Sequence, residues 1–239
     1  WDSDAETEYA ECLLKARVLA GSHRPPPEFQ LLESLRWTSG EGYFLLERHL
    51  DRLMGSAEYF SFVADRTAVE RTLLEQAANL TEPSKVRLLL HRNGAMSVAA
   101  QPLSKNAWSE PVTVGLSRAP ISSKDVFLYH KTTHRESYLA ARASRPDCDE
   151  VILWNERGEL TEAANFNIIL EIDGRRVTPP LSSGVLAGTF RGCLLENGEI
   201  EEAVLSTSDL ARATRLWLTN SVRGRLEARL LESMVRGKP

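Results

Sequence analysis

Lys131 is the first residue whose surroundings suggest chemistry. It follows the apolar run Val126-Phe127-Leu128-Tyr129 and His130, where an amine loses solvation and its pKa falls. A neutral lysine is a nucleophile able to form a Schiff base with a carbonyl compound. Only six lysines stand among the 29 basic residues, so few amines compete for that role. On its own, Lys131 reads better as a surface residue with a solvated or salt-bridged head. Glu162 opens Glu162-Ala163-Ala164-Asn165-Phe166-Asn167, an acid and amides among small and apolar residues entering a strand. A carboxylate there is costly unless paired, and its two readings are a turn-capping acid and a partner for a cation.

Two further segments have the character of an anion site. Gly184-Val185-Leu186-Ala187-Gly188-Thr189-Phe190-Arg191 is a glycine-flanked turn entering a helix, and Thr219-Asn220-Ser221-Val222-Arg223-Gly224 follows a strand. Free backbone N–H groups at such a helix start attract phosphate. Other chemistries find no pattern. His23, His49, His91, His130 and His134 never fall in a two-histidine metal spacing with an intervening acid, so no metal is expected. A G-x-S-x-G nucleophile elbow is missing from the sequence.

These residues need elements to carry them. A capping box at Ser3-Asp4-Ala5-Glu6 and apolar residues from Tyr9 to Leu19 predict an amphipathic helix over 4–20, followed by a linker ending in Arg24-Pro25-Pro26-Pro27. Short strands at 29–37 and 43–46 flank a Ser39-to-Gly42 turn. Helices follow, one carrying Leu50, Leu53, Met54, Ala57 and Phe60, the next over 68–80. Strands 86–92 and 95–100 around Asn93-Gly94 predict a type I′ hairpin, and 112–116 is expected to extend that sheet.

Residues 28–118 therefore read as a small α+β domain, 119–124 as a connector, and 125–239 as a larger domain. The larger domain has a helix at 136–143, a meander of strands from 151 to 178, a helix at 188–197, strands near 199–205 and 215–219, and a polar tail. Residues 1–27 read as the end of an upstream domain plus linker. A chain of 239 residues, 42% hydrophobic and 26% charged, can bury a sizeable core. The net charge of −4, with arginines scattered among acids, does not suggest a nucleic-acid surface. No apolar stretch approaches the roughly 20 residues of a membrane span. Three distant cysteines fit a reducing cytoplasm, and small molecules are the expected partners.

Taken in order, His130-Lys131-Thr132-Thr133, Glu162 through Ile168, Val177-Thr178-Pro179-Pro180-Leu181, Gly188-Thr189-Phe190-Arg191 and Thr219-Asn220-Ser221 resemble the class IV aminotransferase family. The resemblance spans residues 28 to about 235 and implies a two-domain α/β (α+β) fold with the cofactor between the domains. Within the family it leans toward aminodeoxychorismate lyases, above all the form fused behind a chorismate-using synthase. The resemblance implies pyridoxal 5′-phosphate attached at Lys131, with Glu162 against the ring nitrogen and Asn167 beside it. Arg52, Gly188, Thr189 and Ser221 would hold the phosphate, and Ser34 would pass a proton to the leaving group. Arg36 and Arg223 are candidates for substrate carboxylates, because a guanidinium fork suits a carboxylate.

A homodimer and a synthase domain in the same polypeptide are the implied partners. The implied activity releases 4-aminobenzoate and pyruvate from 4-amino-4-deoxychorismate, a step of folate synthesis. The alternatives are an aminotransferase for D- or branched-chain amino acids and a noncatalytic domain that docks on the synthase. One departure stands out: the tyrosine that relatives place four or five residues beyond the lysine is replaced by His134, Arg135 and Glu136, and Tyr138 comes later.

Overall fold

A computed structural model describes residues 27–103 and 110–231; the helix expected over 4–20 lies outside them. The first half forms a four-stranded antiparallel sheet in the order β2-β1-β3-β4, with β1 Leu31–Thr38, β2 Gly42–Tyr43, β3 Ser84–Leu90 and β4 Met96–Pro102. Helices α1 (Leu46–Phe60) and α2 (Arg66–Ala77) cover one face of this sheet. Leu31, Leu35, Val86 and Leu88 pack there against Leu50 and Leu73. The period of two then turns Ser34, Arg36, Lys85 and Arg87 to the opposite face, where Arg36 pairs with Lys85 and Ser34 with Arg87.

The β3–β4 turn is not type I′. Gly94 N–H donates to His91 O at 3.0 Å, and only Gly94, not Asn93, has positive φ (87°). This is a type I turn closed by a left-handed glycine. Asn93 instead uses its side chain to accept from Ala95 N–H at 3.0 Å.

The second half is an eight-stranded mixed sheet in the order β10-β9-β8-β11-β12-β5-β6-β7. In chain order its strands are β5 Val112–Leu116, β6 Glu150–Trp154, β7 Leu160–Ala163, β8 Asn167–Ile172, β9 Arg175–Thr178, β10 Glu201–Glu202, β11 Arg215–Asn220 and β12 Gly224–Leu230. Two expectations are corrected here. Residues 112–116 join this sheet, parallel to β12 and β6, rather than the first. The boundary between the two halves therefore falls ahead of residue 112, not at 118. The expected polar tail contains β12, whose Leu226, Ala228 and Leu230 alternate with charged residues.

Ala163 and Phe166 exchange backbone hydrogen bonds of 2.7 and 3.3 Å, so β7 turns directly into β8 and the sheet curls on itself. Val114, Ile152, Ile168, Leu170 and Leu218 fill the curl. Outside it, α3 (Glu136–Ser144) packs Tyr138 and Ala141 on Val151 and Leu153, while α4 (Thr189–Glu196) packs Leu194 on Ile169 and Trp217. A short helix, α5 (Asp209–Arg212), precedes β11. No helix among the described residues is long and apolar enough to cross a membrane.

Candidate active site

Between the two sheets lies a cavity of about 300 Å³, within the size range of small-molecule sites. The exposed face of the small sheet contributes Ser34 and Lys85, and α1 contributes Arg52. The large sheet and its loops contribute Glu162, Asn167, Gly188, Thr189, Ser221 and Arg223, among others.

Lys131 reaches the cavity from a segment sewn to β1. A 3-10 turn over Val126–Leu128 is capped by Asp125, whose side chain accepts from Phe127 N–H at 3.0 Å. The chain then runs antiparallel to β1. Leu32 N–H donates to Lys131 O and Thr133 N–H to Gln30 O, both at 2.9 Å, while Gln30 N–H donates to the Thr133 hydroxyl at 2.9 Å. The Lys131 amine has no hydrogen bond or ion pair among the described residues. Burial lowers its pKa to about 8, helped by Arg52 and Arg135 and opposed by Glu33 and Glu162. A substantial neutral fraction at mildly alkaline pH is what a nucleophilic amine requires.

Across the cavity Glu162, at the end of β7, accepts from the Tyr138 hydroxyl at 2.6 Å and from Asn167 Nδ2 at 3.0 Å. Asn167 Nδ2 also donates to Leu186 O at 3.1 Å, which ties the carboxylate to the turn ahead of α4. Burial raises the Glu162 pKa to about 7 against the hydrogen bonds and the cations Lys131 and Arg135. The group is thus ready to ionise against a cationic N–H. Because the folded pKa lies above the unfolded one, the cost of burying it ionised is absent below about pH 4.5 and full above about pH 7. Glu162→Gln apoprotein is therefore expected to be more stable than wild type at pH 8, by at most about 3 kcal/mol. Urea titrations across pH should show the difference shrinking to nothing by about pH 4.5; a constant difference would contradict this.

The third wall is an anion cradle. Helix α4 begins at Gly188 without a side-chain cap, which leaves first-turn N–H groups available. Thr189 and Ser221 flank it. Asn220 Oδ1 accepts from the N–H groups of Val222 and Arg223 at 3.0 and 2.8 Å and holds that turn. The Arg52 guanidinium closes the cradle and donates to Ala187 O at 3.0 Å. A side chain at Gly188 would place its Cβ 1.8 Å from Asn167 Oδ1, so only glycine lets the helix start approach the Glu162 cluster this closely. A neutralisable amine, a carboxylate suited to a ring N–H, and an anion cradle around one cavity together fit pyridoxal phosphate.

All but one of the expected site residues line the cavity: Lys131, Ser34, Arg52, Glu162, Asn167, Gly188, Thr189, Ser221 and Arg223. Arg36 does not. Its guanidinium lies 4.3 Å over the Phe44 ring, and its cross-strand partner Lys85 lines the cavity instead. Tyr138 was missed as a site residue. Tyr138 stands seven residues beyond Lys131, and the first turn of α3 brings its hydroxyl to Glu162. Arg135 lies beside it, stacked 4.5 Å over the Tyr138 ring and bonded to Ala164 O.

The fold and this site define a class of protein. Residues 30–231 match the class IV amino-transferase family, and the chain belongs to it. It is an enzyme of the pyridoxal-phosphate-dependent class IV superfamily, and its cofactor is pyridoxal 5′-phosphate. Among its relatives is a Schizosaccharomyces pombe protein named "Putative aminodeoxychorismate lyase", 32% identical over 75% of this chain and 81% of its own. A crystal structure named as a "Putative amino-acid aminotransferase" from Mesorhizobium loti is 36% identical, with a TM-score of 0.80 over 85% of this chain and 100% of that one. The structure of 4-amino-4-deoxychorismate lyase from Pseudomonas aeruginosa is 25% identical, with a TM-score of 0.73 over 85% of this chain and 83% of that one.

Proposed function

We propose that this chain is an aminodeoxychorismate lyase, converting 4-amino-4-deoxychorismate to 4-aminobenzoate and pyruvate. One observation carries the choice between lyase and branched-chain aminotransferase. The cavity wall beyond Lys131 is polar and basic, lined by Ser34, Lys85, Asn220 and Arg223. Such a wall suits a substrate bearing carboxylates rather than an aliphatic side chain. Lys85 has no counter-ion among the described residues, and burial with the nearby Arg87 and Arg223 lowers its pKa; a bound carboxylate would relieve that repulsion. The names of the S. pombe and P. aeruginosa proteins support the same reading.

When bound, pyridoxal phosphate supplies an electron sink for the carbon that bears the substrate amine. Glu162 holds a proton at the ring nitrogen, and Tyr138 and Asn167 fix its carboxylate. The Lys131 amine takes the proton from the amine-bearing carbon. The carbon–oxygen bond to the enolpyruvyl group breaks, the six-membered ring becomes aromatic, and Ser34 delivers a proton to the departing group, which leaves as pyruvate. Arg223 and Lys85 hold the substrate carboxylates. No amino acceptor enters the balance.

Two measurements test this. Incubation with pyridoxal phosphate, borohydride reduction and peptide mapping should place a pyridoxyl group on Lys131, and its rate of attachment should rise with pH through about 8. The loaded protein should then release 4-aminobenzoate and pyruvate in equal amounts without a keto acid. Amino transfer to an added keto acid, with no pyruvate release, would replace the lyase by an aminotransferase.

A further inference from the structure

Glu33 breaks the pattern of β1. Leu31, Glu33, Leu35 and Trp37 share the face that packs on the helices, and Glu33 is 2% exposed there. A carboxylate in that layer is unfavourable unless its oxygens are satisfied, and here they are. Oε1 accepts from Arg52 Nε at 2.9 Å; Oε2 accepts from Arg52 Nη2 and from His49 Nδ1, both at 2.7 Å. Burial would raise its pKa, but Arg52 and His49 outweigh burial and hold it at about 2. Glu33 is thus a carboxylate throughout the working range.

Two consequences follow from donor counting. A guanidinium has five N–H donors. Glu33 takes the Nε–H and one on Nη2, and Ala187 O takes one on Nη1. One donor is left on each terminal nitrogen, together a fork for an anion. His49, 1% exposed, gives its Nδ1–H to the carboxylate. Burial lowers its pKa, so its Nε2 is an acceptor and receives the Thr189 hydroxyl at 3.3 Å. A single carboxylate on β1 thereby orients both an arginine of α1 and, through His49, the first residue of α4, two parts of the same anion cradle.

We propose that Glu33, acting with His49, is a positioning residue for the cofactor's phosphate: it sets the free edge of Arg52 toward the cavity and locks Thr189 at the start of α4. The inference rests on placing the phosphate at Arg52 and Thr189, and the test separates the two ideas. Wild-type and Glu33→Gln apoproteins are titrated with pyridoxal phosphate and, separately, with pyridoxal, which lacks the phosphate. The dissociation constant of each follows from the absorbance of the bound form.

Glu33→Gln keeps the shape but halves the acceptor set. It is expected to weaken pyridoxal phosphate about ten- to thirtyfold, in line with one or two charge-assisted contacts, and to leave pyridoxal within about twofold. Glu33→Asp, which keeps the charge, should recover part of the loss. Should Glu33→Gln not fold, His49→Gln is read in the same way, with an expected three- to tenfold selective loss. Equal weakening of both ligands, or no change in either, overturns the positioning role. Wild type binding both ligands equally well would show that no phosphate site exists there, and the role would fall with it.

Discussion

Lys131→Ala is expected to lower turnover by about 10⁴-fold or more, because in the proposed mechanism one amine both holds the cofactor and moves the proton. The fold should survive the change. The segment's position comes from the backbone bonds of Lys131 and Thr133 to β1, none of which uses the amine, and removing a buried cation with no hydrogen bond or ion pair among the described residues relieves a desolvation cost. The melting temperature of the apoprotein should therefore stay within a few degrees of wild type or rise. Anion binding should persist as well, since Arg52 and Thr189 stand apart from the amine in the chain and are held by Glu33 and His49. Pyruvate release by the variant at even a tenth of the wild-type rate would remove Lys131 from the chemistry.

Gly188→Ala should be nearly as damaging by a different route. Its φ of −64° suits any residue, so backbone strain is not the issue; space is. The added methyl would stand 1.8 Å from Asn167 Oδ1, and either Asn167 swings away or the first turn of α4 moves. The first response breaks the Asn167 bond to Glu162, the second misplaces the N–H groups of the anion cradle. Overpacking of this kind costs about 1–3 kcal/mol, which lowers the melting temperature by roughly 2–10 °C in a chain of this size. The dissociation constant for pyridoxal phosphate should rise at least about tenfold, since Glu162 or the cradle must shift. Gly192→Ala is the control. Its Cβ would meet only the flexible end of Arg48 at 3.2 Å, and alanine favours the helix interior by about 1 kcal/mol. Equal behaviour of the two variants would refute the steric account.

Much of the site was legible because its residues sit at element ends with distinctive local chemistry. Lys131 after an apolar run, Glu162 at the entrance to a strand, and Gly188-Thr189 at a helix start each break a pattern, and their order carries more information than any one of them. What escaped was decided between elements rather than within them. Val112–Leu116 alternates as a strand should, but its neighbours are β12 and β6, and pairing partners are not written in a single strand. β12 was hidden by its charge: Arg225, Glu227 and Arg229 separate Leu226, Ala228 and Leu230, so a half-buried strand reads as a polar tail. Arg36 and Lys85 are register partners on one face; the Arg36 guanidinium lies over the Phe44 ring while Lys85 lines the cavity. Glu33 was not singled out at all: it is one acid in an apolar strand, and the partners that give it meaning come from another element.

The bond between Gln30 N–H and the Thr133 hydroxyl joins residues 103 apart in the chain. The strands β3 and β4 pair through contacts close in sequence and β1 joins β3 across about 50 residues, whereas Lys131 reaches β1 only after a loop about twice as long has closed, at an entropic cost that grows with its length. The order of events during synthesis is thereby constrained. A nascent chain that has made only the first sheet has no reactive amine in place, and one that has made the Lys131 segment still lacks the helix start at Gly188. Capture of the cofactor is therefore expected to come late, as a signal that folding is complete, and the appearance of its absorbance during refolding should lag the recovery of secondary structure.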